Sequence, residues 1–314
     1  MSPSIGPFIA SAHRHGPAAS GSPWGYHLHL GAWAAIGGAA LAYGIVVRTL
    51  ARHRGPGALP TRRQMMVLGA ALVALILALT WPVADLAARW SLTALVIQRL
   101  LLTLAAAPLL LLAVPVSLLA AVTRPAPVDA LVRVLTRPMP AVVVFTVVAI
   151  GTLLGPAVAA QSSSAAWRGL TDLTLLLGGF VLWAPAMRHI PGGHHTTSVG
   201  IAAYLFVQSV VPTFPAIVYV FAHRPLYSAF LHVHRAIGLS PVVDQQVAGV
   251  VAKVATLPVL WGAAYAALAR AQRADQTAAD TEPLTWAVVE RELERAERAE
   301  RRAARGTHER DRSR

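Results

Sequence analysis

The sequence carries twelve histidines and no cysteine, and this sets the metal chemistry open to it. The His-x-His pairs include His27-x-His29 and His232-x-His234, and His223 precedes the latter. Imidazoles in such pairs suit copper(II), zinc or nickel. Copper(I) prefers thiolate or thioether donors. Cysteine is absent, and Met65, Met66, Met139 and Met187 all fall on the side opposite the His-x-His pairs, so no soft site is expected there. His27, His29, His223, His232 and His234 are therefore the candidate metal ligands. The competing reading is that they are interfacial imidazoles bonded to water and lipid headgroups. A third group, His189, His194 and His195, brackets a Pro-Gly-Gly turn, where a short polar loop is expected.

Ionisable side chains within apolar runs form the second set. Charged groups in a membrane are expensive and mark function by default. Arg99 follows Gln98 near the start of one apolar run, and Lys253, the lone lysine, lies in the last. Asp244 and Asp85 are the expected partners, in a structural network or in handling a substrate or proton. Asp244-Gln245-Gln246 opens the final apolar run and places a carboxylate and two amides at a helix N-terminus, where they suit the dipole and can cap free N–H groups. A retinal Schiff base would need a lysine near mid-membrane and a carboxylate on a facing helix. Lys253 lies too near one end, and the third run offers Arg99 instead. There is no GxGxxG after a strand, no P-loop, no Ser-His-Asp pattern and no paired carboxylate within a run. No enzyme is expected.

The elements that must hold these residues are membrane helices. Apolar residues make up 55% of the chain and charged residues 13%, about half the roughly 25% of an ordinary soluble domain. Before residue 269 the only acids are Asp85, Asp129, Asp172 and Asp244, and the first glutamate is Glu282. That composition excludes a soluble domain. A crossing helix needs about 20 mostly apolar residues. Seven runs qualify: Leu28–Val47, Met65–Val83, Ala94–Leu119, Pro140–Ala160, Leu170–Ala186, Val199–Ala222 and Val247–Leu268. The fold class expected is all-α, a polytopic transmembrane helical bundle of seven spans. Pro108 and Pro115 predict a kink in the third span, and Pro212 and Pro215 another in the sixth.

Arginines between the runs set the orientation. Arg48, Arg52, Arg54, Arg62 and Arg63 separate the first two spans, and Arg124, Arg133 and Arg137 the third and fourth, while the alternate connections hold fewer. The positive-inside rule then places the N-terminus outside and the C-terminus in the cytoplasm. The net charge of +13 is thus topological, and no nucleic-acid partner is expected. The opening residues lack a charged region before an apolar core, so no cleavable signal peptide is expected. The domain organisation reads as an extracytoplasmic segment over 1–27, the seven-helix domain over 28–268 and a charged cytoplasmic tail over 269–314. In the tail, Ala269–Glu282 reads as polar linker. Thr285 can cap a helix over about 286–305 with Glu294–Arg298 and Glu297–Arg301 pairs.

One stretch carries a resemblance. Pro225-Leu226-Tyr227, Gly238-Leu239-Ser240-Pro241 and Asp244-Gln245-Gln246-Val247-Ala248-Gly249 follow one another between Ala222 and Val254. In order and spacing this resembles the membrane-embedded cytochrome c oxidase assembly factors of the CtaG family, with a "P-L-Y" segment, a "G-L-S-P" turn and "D-Q-Q-x-A-G" opening a helix. Gln98 to Pro115 and the tail segment from Pro283 are similar to family segments too, and the likeness spans about Trp24 to Arg295. It implies a plasma-membrane protein of a bacterium that assists maturation of cytochrome c oxidase, copper centres included, with oxidase subunits and the bilayer as partners and copper as the implied metal. Many members carry histidines at the start of the third helix where this chain has Leu95 and Arg99, and Arg99 repels a cation. The working surface expected is a polar rim of Asp244, Gln245, Gln246, His223, His232 and His234, joined by His27 and His29, with Lys253 and Arg99 counted in the same rim. Two other classes stay open. One is a metal-free docking scaffold for oxidase subunits through Arg99, Lys253 and Asp244. The other is a small-molecule or ion transporter, which an inverted repeat would support, and the sequence holds none.

Overall fold

The computed structural model describes residues 22–54, 59–194, 196–281, 290, 291 and 293–298. Among these there are helices and turns and no strand. The fold is a bundle of membrane helices, as the composition requires. In chain order the helices are α1 (Leu30–Arg54), α2 (Arg62–Leu79), α3 (Val83–Arg89), α4 (Leu92–Leu100), α5 (Ala107–Ala113), α6 (Val116–Thr123), α7 (Ala126–Leu135), α8 (Pro138–Gly151), α9 (Gly155–Ser163), α10 (Ala165–Trp183), α11 (Ser198–Val210), α12 (Phe214–Phe221), α13 (His234–Ile237) and α14 (Pro241–Thr281). Among the described residues six stretches are long and apolar enough to cross a membrane: Leu30–Thr49, Arg62–Arg89, Leu92–Ala113, Ala165–Ala186, Ser198–Phe221 and Pro241–Ala274.

The fourth expected span differs. Pro140–Ala160 is not one helix: α8 ends at Gly151, and α9 begins at Gly155 and Pro156. On its other side α8 meets α7 at a bend of 90°, and the span count reaches seven only when that bent pair is one span. Pro138 and Pro140 on the first flank, and Gly151, Gly155 and Pro156 on the second, supply the breaks.

The third span is interrupted in a way that follows from Pro108. Between α4 and α5 the chain widens into a π-helical turn, Leu101–Ala106, in which the Ala107 amide donates to the Leu102 carbonyl. In that register the amide of residue 108 would donate to the Thr103 carbonyl, and proline has none to give. Trp183 fills the gap, its indole Nε1 donating to Thr103 O at 3.0 Å. The close approach this needs is made at Gly179, where an added Cβ would stand 2.6 Å from the Ala107 Cβ and 3.0 Å from the Thr103 Cα. Val114, held extended by Pro115, then separates α5 from α6.

Packing is uneven. Phe145, Leu182, Trp183, Ile201, Tyr204, Leu205 and Leu260 form one buried cluster, joining α8, α10, α11 and α14. Leu75, Leu102 and Leu175 centre another between α2, the π turn and α10. By contrast, α1 buries only Ile36 and Val47 among its described apolar side chains.

The chain divides into two compact units, Met1–Ala267 and Leu268–Arg314. In the second, the stretch expected to be polar linker, Ala269–Glu282, is helical as far as Thr281; alanine, arginine and glutamine are strong helix formers. Residues 290, 291 and 293–298 are helical, and Arg298 Nη2 meets Glu294 Oε2 at 2.6 Å. Thr285, the stretch 299–305 of the expected tail helix and Arg301 lie outside the described residues, as does His195.

Candidate functional site

His29 immediately precedes α1, and Asp85 lies in the first turn of α3. His27 Nδ1 stands 3.2 Å from one oxygen of the Asp85 carboxylate, and His29 Nε2 stands 3.1 Å from the other. The His27 side chain is 71% exposed and that of Asp85 13%. These groups sit at the edge of a cavity of about 670 Å³ between α1, α3, α4 and α10. Gln98, Arg89, Arg168 and Asp172 also line it, and among the described residues the side chains of the last three make no hydrogen bond or ion pair. The segment bearing both histidines is tied down by Trp24, whose indole donates to Ala236 O at 2.9 Å.

Asp244 is 1% exposed and makes no ion pair among the described residues. Its carboxylate accepts from Ser91 Oγ at 2.8 Å, from the Leu92 amide at 2.6 Å and from the Thr93 amide at 3.4 Å. Thr93 Oγ1 returns a bond to the Asp244 carbonyl at 2.9 Å. The side chain therefore caps the first turn of α4 rather than that of its own helix. A carboxylate there satisfies free amides and faces the positive end of the helix dipole. The start of α14 is capped by Ser240 Oγ, which accepts from the Val243 amide at 3.3 Å.

Gln245 is also buried, at 2% exposure. Its Oε1 accepts from the Leu226 amide at 2.9 Å and its Nε2 donates to Arg224 O at 3.4 Å. It thus grips the backbone on both sides of Pro225, which has no amide N–H of its own. Tyr227 completes the clasp, donating to Leu153 O at 2.7 Å and meeting the Tyr219 hydroxyl at 2.8 Å. Burial pushes the Tyr227 phenol up, which keeps it a neutral donor. Gly238 ends α13 at φ +72°, a conformation that favours glycine. At Gly249 an added Cβ would meet Ala216 O at 2.6 Å, so the small residue lets α14 lie against α12. Each part of the "P-L-Y", "G-L-S-P" and "D-Q-Q-x-A-G" pattern has a structural task.

Arg99 and Lys253 were expected to meet carboxylates and instead meet the ends of broken helices. Arg99 Nη2 donates to Ala149 O at 3.3 Å and to Thr152 Oγ1, in the last turn of α8 and just beyond it. Lys253 Nζ donates to Ser209 O at 3.2 Å and to Thr213 Oγ1 at 3.1 Å, where α11 stops before α12. Cations are favourable at the negative ends of helices, and these two breaks leave carbonyls without amide partners.

Of the remaining expected residues, His232 and His234 are exposed with ring centroids 6.5 Å apart, and His223 is exposed. Among the described residues the Gln246 side chain makes no hydrogen bond. His223, His232 and His234 do not line the cavity that His27 and His29 border. His189 meets Leu111 O at 3.2 Å, and the His194 amide donates to Thr136 Oγ1 at 2.8 Å, so their turn is tied into the fold. Among the described residues no group of three or more His, Asp or Glu side chains is arranged to hold a metal ion. Asp85 was missed as the meeting point of His27 and His29, and nothing in the sequence links positions so far apart.

No curated protein and no solved structure matches this chain. The model of one family, described as the cytochrome c oxidase caa3 assembly factor family (Caa3_CtaG), matches residues 41–274, a range that holds the Asp244 brace, the Gln245 clasp and both capped helix breaks. The chain belongs to the cytochrome c oxidase caa3 assembly factors.

Proposed function

We propose that this chain assists assembly of a caa3-type cytochrome c oxidase in a bacterial plasma membrane without catalysing a reaction, and that it passes copper(II), as cargo, at the mouth formed by His27, His29 and Asp85. The observation that carries this reading is the convergence of two imidazoles on one carboxylate at the edge of a cavity. Two nitrogens and an oxygen suit copper(II) in kind. The three groups hold one another rather than a common centre, so a cation would have to displace those contacts, and such a loose hold suits an ion that must leave. Beyond the mouth Arg89 and Arg168 line the same cavity against one carboxylate, Asp172, and the surplus of positive charge opposes entry of a cation. That favours hand-over on one side of the membrane above transport across it. The positive-inside reading of the arginine-rich connections supports a mouth outside the cytoplasm, with oxidase subunits as the partners proposed there.

The test is complementation of a strain lacking the gene with His27→Ala/His29→Ala, beside copper titration of the purified variant. The expected result is stoichiometric copper(II) binding by the wild type, lost in the variant, with less copper in the assembled oxidase and unchanged levels of the factor. Full oxidase copper in the variant strain would overturn the cargo reading. The second reading is a metal-free docking scaffold. It is favoured by the Gln245 clasp, which fixes Pro225 and Leu226 in place while leaving them exposed. On that reading Leu226→Asp loses oxidase assembly and the histidine variant does not.

A further inference from the structure

The short helix α7 stands apart from the other apolar helices. It runs over Ala126–Leu135, and the chain turns through 90° before entering α8. At 1.5 Å per residue α7 is about 15 Å long, half the roughly 30 Å of a bilayer core. α8 has no charged residue and belongs in the hydrocarbon. α7 carries Asp129 and Arg133, and Arg124 and Arg137 flank it. Charges along a helix set square to a membrane-embedded one place it flat at the end of the bundle, out of the hydrocarbon.

The residues of α7 sort into three sides. Val128, Val132 and Leu135, at i, i+4 and i+7, are half-buried against the rest of the chain. Asp129 and Arg133 form the polar side, joined at 2.8 Å. The Pro-Gly-Gly turn pins that side. Gly192, at φ +75°, comes so close that an added Cβ would stand 2.6 Å from Asp129 Oδ1, and the His194 amide donates to Thr136 Oγ1 at 2.8 Å just past the helix. Pro127, Leu131 and Val134, again at i, i+4 and i+7, make the third side, which no described residue covers: Leu131 is 55% exposed and Val134 48%. No residue of α7 is fully buried. Beyond the bend the exposed apolar surface continues through Met139, Val143 and Val147, at every fourth position of α8.

Continuity and charge together say what covers the stripe. The surface it extends is the one α8 turns to the hydrocarbon, so its cover is lipid. Asp129 is bonded to Arg133, whereas Arg124 and Arg137 are exposed and in no ion pair among the described residues. Helices that are apolar on one side and flanked by arginines attract acidic headgroups. We propose that α7 is an in-plane helix that docks on acidic phospholipid. Pro127, Leu131 and Val134 enter the boundary between headgroups and acyl chains, and Arg124 and Arg137 meet the phosphates. The surface shares no residue with the His27 mouth, so it stands apart from the copper reading.

The test uses the absence of cysteine from the chain. A single nitroxide is placed at Leu131→Cys, Val134→Cys or Arg133→Cys in the full chain, reconstituted in phosphatidylcholine vesicles with or without phosphatidylglycerol. With phosphatidylglycerol present, the labels at Leu131→Cys and Val134→Cys are expected to collide mainly with oxygen, at a depth of about 5–10 Å, and the label at Arg133→Cys mainly with a water-soluble nickel chelate. Nickel-dominated collisions at Leu131→Cys and Val134→Cys would mean a wet face and overturn the proposal. Shielding of both labels from both reagents would mean that protein covers the stripe, and would overturn it equally. Energy transfer from a dye at Leu131→Cys to headgroup-labelled lipid tests the charge. Transfer to labelled phosphatidylglycerol should exceed that to labelled phosphatidylcholine by about twofold or more at low salt. The excess should vanish in Arg124→Gln/Arg137→Gln while the oxygen collisions persist. Equal transfer to both lipids in the wild type, or an excess that survives the arginine changes, would refute docking on acidic lipid.

Discussion

Asp244→Asn is the most informative single substitution, because it changes one buried atom and keeps the shape. In the wild type the carboxylate accepts from Ser91 Oγ at 2.8 Å and from the Leu92 amide at 2.6 Å, with a longer contact to the Thr93 amide. Hydrogen bonds to a charged group contribute about 1.5–3 kcal/mol each and neutral ones about 0.5–1.5. The amide therefore weakens the accepted bonds by about 1 kcal/mol in all, and its NH₂ faces a donor, which leaves a buried donor unsatisfied at about 1–3 kcal/mol. Loss of the charge at the start of α4 adds about 0.3–1 kcal/mol. The expected destabilisation is about 3 kcal/mol, on the order of 100-fold in the folding equilibrium. Reversible unfolding in mixed micelles, followed by circular dichroism, measures it. A double-mutant cycle with Ser91→Ala should return a coupling of about 1 kcal/mol or more, as groups in one network do. A variant within about 0.5 kcal/mol of wild type, or a cycle with no coupling, would refute the brace; such values are typical of unconstrained surface positions. Loss of oxidase assembly at unchanged stability would instead make Asp244 a contact for the partner.

Two further outcomes follow from the same region. Gly249→Leu forces α14 off α12, since even a Cβ there would stand 2.6 Å from Ala216 O; the expected loss is about 1–3 kcal/mol, read as a lowered thermal midpoint. Gln245→Leu frees the Leu226 amide and the Arg224 carbonyl, and the 224–227 segment should then exchange its amide hydrogens faster while α14 keeps its protection.

The spans were legible because apolar length is a direct physical requirement of the bilayer. The exception, Pro140–Ala160, shows the limit of that argument: mean hydropathy carries across Gly151, Gly155 and Pro156, whereas backbone geometry does not. The polar residues were legible as chemistry and not as geometry. Asp244 was recognised as a helix cap, yet the amides it caps belong to α4. Arg99 and Lys253 were matched to carboxylates, the opposite charges visible as residue types, while their actual partners are carbonyls and hydroxyls at helix ends. Such carbonyls are freed only by breaks in three dimensions, and every residue has one. The π turn was likewise hidden. Pro108 announced a kink, but the remedy lay in an indole on α10.

The brace between Asp244 and α4 also has a consequence in time. Ser91 and Asp244 are separated by 153 positions along the chain. At the usual pace of translation, about 5–20 residues per second, the third span is made roughly 8–30 s before its cap. During biogenesis its leading amides must be served by water, headgroups or a chaperone at the membrane surface. Only when the last span emerges can the bundle lock, so a truncated product that lacks α14 exposes the start of α4 to quality control.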